Sequence, residues 1–188
     1  MGRISLTNNS KLLFLPPLLP CGVKKKPTLV IVDAGPENQR TGTQNIRQFV
    51  QKDDELDSID AFVERVMSYN PRRDPVQLRG SLVHNLKQLP TGKWTWKYDR
   101  ALRVGDRRMA QDAGMTERLW GYLENLTCPT LVITGELSDI IASDTAAMMH
   151  ERIPNGELAT VPNAGHLVMG DNPAGFEVEV TQFLNRFA

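Results

Sequence analysis

The sequence predicts an α/β fold, a doubly wound parallel sheet of about three strands interrupted by a helical insertion. Three observations predict it. Thr28–Asp33, Thr130–Thr134 and Glu157–Val161 are short runs rich in β-branched and apolar residues, each closed by turn-forming residues. Continuous runs of this kind mark strands covered on both faces. Between the last two, Ser143–Arg152 reads as a helix, and strand, helix, strand in succession implies parallel pairing through a crossover.

A chain of 188 residues suits one domain with a small insertion and can bury a sizeable core. Lys plus Arg and Asp plus Glu both number 22, so the formal net charge is zero. That balance argues against attraction to nucleic acid or to an anionic membrane surface. Cys21 and Cys128 are too few for a disulfide framework, and no Cys/His cluster has zinc spacing. A reducing, cytoplasmic setting is therefore expected, with no metal or organic cofactor. Lys11–Cys21 has the basic-then-apolar order of a signal peptide, but Pro16, Pro17 and Pro20 break the apolar core. Leu6 stands where a myristoylation motif needs Ser or Thr. No run approaches the roughly 20 apolar residues of a membrane helix.

Taken in order, residues 1–27 read as irregular: polar, then proline-broken, then the basic run Lys24–Lys26. Thr28–Asp33 is the first strand, ended by Ala34-Gly35-Pro36. From Gln44 to Leu126 the pattern turns helical. Ile59, Phe62, Val63 and Val66 share one helix face, with Ser58 as N-cap and Asn70-Pro71 as stop. A second helix is expected from Asp74-Pro75 through Leu86 towards Pro90, then an extended aromatic segment over Lys93–Tyr98, then a helix carrying Leu119, Trp120, Leu123 and Leu126. Ser143 is the expected cap of the crossover helix, and Phe176, Val180, Phe183 and Leu184 give Ala174–Phe187 one apolar face.

The chemistry concentrates at two strand ends. His166 follows the turn Pro162–Gly165, and Asp139 follows Gly135-Glu136-Leu137-Ser138. Ligands of open parallel sheets bind beyond the carboxyl ends of the strands. Neighbouring strands lie about 4.8 Å apart, close enough for a carboxylate to orient an imidazole over the sheet edge. Asp139 is the expected acid, its plainer role being a turn residue ahead of the Ser143 helix. Asp33, also at a strand end, is the alternative, unless it merely forms the turn before Gly35-Pro36. Trp94, Trp96 and Tyr98 either line an apolar substrate pocket or pack. His84, His150, Arg72-Arg73 and Arg107-Arg108 read as solvated surface, and Met148-Met149 as packing.

Leu29–Pro36, Cys128–Gly135 with Ser138-Asp139, and Ala164–Asp171 with Phe183-Leu184 together resemble the C-terminal half of an α/β-hydrolase of the epoxide-hydrolase and carbon–carbon-bond-hydrolase type. The resemblance covers residues 28–188. It implies a partial doubly wound sheet in which Asp33 ends the sixth strand, residues 28–43 and 127–188 form the core, and 44–126 form a helical cap. It assigns the triad base to His166 and the acid to Asp139. The family's Asp commonly stands three residues after the strand-end glycine, where this sequence has Ser138.

No Gly-x-Ser-x-Gly nucleophile elbow occurs in the chain. Gly2–Asn8 echoes one around Ser5, without a strand ahead of it or the following glycine. The expected function is hydrolysis of an ester, epoxide or carbon–carbon bond in a small apolar substrate, with weak activity for want of a nucleophile. The alternative is a non-catalytic remnant serving as a binding or assembly module, self-associating through the open edge of a short sheet.

Overall fold

A computed structural model describes residues 27–52, 54–98 and 114–187, together with the backbone of Leu12–Leu15. Two compact units emerge, one of residues 1–43 and 111–188, the other of residues 44–110.

The first unit is built on a four-stranded sheet in the order β1-β2-β5-β6. Strands β2 (Thr28–Val32), β5 (Thr130–Gly135) and β6 (Gly156–Val161) run parallel, as the apolar runs predict. Strand β1 (Leu12–Leu15) pairs antiparallel with β2, Leu13 opposite Val30. It corrects the reading of residues 1–27 as wholly irregular: a proline-flanked apolar stretch too short for strong periodicity still completes the ladder of β2.

Both sheet faces are covered, which explains the unbroken apolar runs. On one face Val30, Val32, Leu131, Ile133 and Val161 meet Phe183 of helix α7 (Pro173–Asn185), with Phe176, Val180 and Leu184 packed beside it. On the other, Leu29, Ile31 and Val132 meet Trp120 of α4 (Met115–Glu124) and Met149 of α5 (Ser143–Arg152). Helix α4 therefore belongs to the sheet unit, and the helical insertion ends before it rather than at Leu126. The amphipathic pattern of Leu119, Trp120 and Leu123 states that one face is buried, not against which core. Ala142, not Ser143, is the N-cap of α5, with no side-chain bond. A four-residue turn of helix, α6 (Val168–Asp171), precedes α7.

Helix α1 (Arg40–Gln51) leads from the sheet unit into the second unit. There α2 (Ile59–Tyr69) and α3 (Pro75–Asn85) start at real side-chain caps. Ser58 Oγ accepts from Ala61 N at 3.1 Å, and Asp74 Oδ1 accepts from Gln77 N at 2.7 Å. The α3 helix stops short of Pro90, because Leu86–Gln88 forms strand β3, antiparallel to β4 (Trp94–Trp96). Phe62, Val66, Leu78, Leu82 and Leu86 make the separate core of this unit.

Candidate active site

Asp33 ends β2, its backbone N–H still donating to Ile133 O of β5 at 2.8 Å. The next turn forces φ to 43°, in the left-handed region. Aspartate is among the few side chains that adopt this region without severe strain. Its side chain is fully buried.

His166 follows β6 through a turn in which Asn163 is also left-handed, φ 56°. Glu136 accepts the Asn163 N–H at 2.9 Å and Asp171 accepts the Gly165 N–H at 2.9 Å, so the turn is held from both sides. The imidazole is one-quarter exposed, and its Nδ1–H donates to Asp33 Oδ2 at 2.7 Å. An ionised carboxylate only accepts, so this contact selects the Nδ1–H tautomer and leaves Nε2 with a lone pair.

The contact spans two strand positions, because β5 lies between β2 and β6. Gly135 at the tip of β5 makes it feasible. A Cβ there would fall on the carbonyl oxygens of Ala164 and Gly165, so only glycine lets the His166 turn drop across the strand end. The Gly135 N–H also donates to Asp33 Oδ1 at 3.4 Å. Ser138 completes the set, its hydroxyl donating to Asp33 Oδ2 at 2.7 Å.

The acid beside His166 is thus Asp33, which corrects the expectation of Asp139. Residue 139 lies on the same loop as Ser138, but its backbone carbonyl packs against α1, where a side chain at position 42 would collide with it. Both carboxylates follow strand ends, and the one past β2 makes the 2.7 Å contact with the imidazole. Trp94 and Trp96 pack on the core of the helical unit, Trp96 edge-on to Phe62 with ring centres 5.2 Å apart, and Tyr98 stacks on Trp96. His150 Nδ1 lies 3.1 Å from Gly156 O, and Met149 is buried in the sheet core. Ser5, Cys21, Lys24–Lys26 and Arg107-Arg108 lie outside the described residues. A surface cleft of about 370 Å³ opens between α4 and α5, but neither His166 nor Asp33 lines it.

Comparison with known proteins gives the constellation its context. An esterase of Mycobacterium tuberculosis, Rv0045c, is 29% identical over 120 residues, 63% of this chain and 37% of that protein. Its crystal structure superposes with a TM-score of 0.60 at 26% identity, covering 83% of this chain and 51% of the other. An alpha/beta hydrolase from Novosphingobium aromaticivorans gives a TM-score of 0.66 at 26% identity, over 84% of this chain and 56% of the other. The chain has the α/β-hydrolase fold. A 3-hydroxybutyrate-oligomer hydrolase of Cupriavidus necator aligns at 24% identity over 163 residues, 81% of this chain and 56% of that protein. No protein-family model matches. The chain spans from about a third to a little over half of the length of the relatives it matches.

Within this α/β-hydrolase chain the residues that sequence reasoning missed are Gly135, as the gap over which the acid reaches, and Ser138, as a partner of that acid. One signal was present: Asp33, like Asp139, stands directly past a predicted strand. Among the described residues no group of three or more His, Cys, Asp or Glu could hold a metal ion, and no helix is long and apolar enough to cross a membrane.

Proposed function

We propose that this α/β-hydrolase chain hydrolyses small apolar esters, with His166 as general base and Asp33 as the acid that orients it. The observation that carries the reading is the 2.7 Å contact between His166 Nδ1 and the fully buried Asp33. With Nδ1 so engaged, Nε2 takes a proton from a water molecule as the water oxygen adds to the ester carbonyl. The same proton then goes from Nε2 to the departing alkoxide, and Asp33 stabilises the imidazolium between the two transfers. Ser138 is not the attacking group, because its proton is directed at Asp33. An ester is favoured over an epoxide or a carbon–carbon bond because a relative that this chain matches, Rv0045c, is named an esterase.

The test is hydrolysis of short-chain p-nitrophenyl esters by the purified chain, beside His166→Ala and Asp33→Asn. The parent is expected to turn over slowly, His166→Ala to fall to the buffer rate, and Asp33→Asn to lose up to about 10⁴-fold in kcat. Equal rates for the parent and His166→Ala would overturn the reading.

A further inference from the structure

We infer that Ser138 is a positioning residue that aims the Asp33 carboxylate at His166, an inference that rests on the dyad reading above. Three bonds converge on its hydroxyl. Ser138 Oγ accepts from Ile140 N at 3.1 Å and from Ile141 N at 3.3 Å, so the backbone at the entry to α5 occupies its lone pairs. Its single proton is left for Asp33 Oδ2 at 2.7 Å. The O–H direction is therefore fixed by the loop rather than free to rotate.

The target of that proton makes the bond consequential. Oδ2 is the same oxygen that receives the His166 Nδ1–H. The carboxylate is fully buried, and among the described residues its other donor, Gly135 N, is distant at 3.4 Å. Ser138 thus holds the carboxylate plane in the orientation His166 needs. Without it the carboxylate turns about its Cβ–Cγ bond towards other donors, and the imidazole loses its tautomer-setting partner. A neutral hydroxyl does this without placing a second negative charge beside Asp33, as an aspartate at position 138 would.

The experiment reads the His166 tautomer directly, from the ring nitrogen chemical shifts of ¹⁵N-histidine-labelled protein at a pH where the ring is neutral. Parent and Ser138→Thr, which keeps the hydroxyl, are expected to show the Nδ1–H form. Ser138→Ala is expected to lose it in favour of the Nε2–H form that free histidine prefers. Ser138→Cys, close in volume and a poor donor, serves if the alanine variant does not fold. For ester hydrolysis Ser138→Ala and Ser138→Cys should lower kcat about 10- to 100-fold with little change in KM, and Ser138→Thr should keep the parent kcat. Retention of the Nδ1–H form in a folded Ser138→Ala or Ser138→Cys protein would overturn the role of Ser138 alone. Its retention in Asp33→Asn would instead remove the dyad on which that role depends.

Discussion

Asp33 combines a left-handed backbone, a fully buried carboxylate and three donors, and each feature constrains what may replace it. Asparagine keeps the backbone preference and the volume, so Asp33→Asn separates the chemistry of the acid from its structural fit. Gly135 is constrained by its neighbours rather than by its own dihedrals. Because a Cβ would strike backbone oxygens of Ala164 and Gly165, which cannot swing aside as a side chain can, Gly135→Ala must move either the tip of β5 or the His166 turn. We expect a destabilisation of about 1–3 kcal/mol, read from the urea midpoint, together with weakening of the Nδ1–H signature of His166. An alanine variant with unchanged midpoint and tautomer would show that the turn does not need this close approach. At the residue scale the two candidate acids are not told apart by sequence. Asp139 and Asp33 both follow strands and look alike as text, while Asp33 alone has a glycine-tipped strand to reach across.

Helix α7 shows what an element contributes. Its Phe183 is buried against Val30, Ile133 and Val161, drawn from all three parallel strands, so one ring ties the sheet together. Phe183→Ala should cost about 3–5 kcal/mol, seen as a lower denaturant midpoint at unchanged slope. A loss below about 1 kcal/mol would mean that the neighbouring Phe187, 5.2 Å away between ring centres, refills the space. Opposite it, α4 is fastened through Trp120, whose Nε1–H donates to Glu37 at 2.8 Å while the Arg152 guanidinium lies 4.7 Å from the ring centre. The period of α4 was legible in the sequence. Its assignment to the helical insertion was not, because an amphipathic stripe carries no label of the surface that it covers.

For the whole molecule, the exposed feature is the outer side of β6, which among the described residues pairs with β5 alone. Thr130 N donates to Asn155 O and Glu136 N to Val161 O, so the odd-numbered positions of this strand bond inward. The N–H groups of Leu158 and Thr160 therefore face away from the ladder. An open edge of this kind predicts self-association at high concentration. Light scattering of the parent should show a rising mass, and Leu158→Lys, at a position already one-third exposed (37%), should lower it. A parent that stays monomeric throughout would remove edge pairing as a route to assembly.

By itself the sequence determined the three parallel strands, the helices between and after them, and the place of His166 in a turn just past a strand. Those are local properties: apolar runs, helical period, and a turn rich in asparagine and glycine after a strand. Tertiary structure alone decided which carboxylate touches that histidine. The partners stand 133 positions apart, and their meeting depends on strand order, a side-chain-free tip on the intervening strand and a serine that fixes the acid, none of which any local window contains.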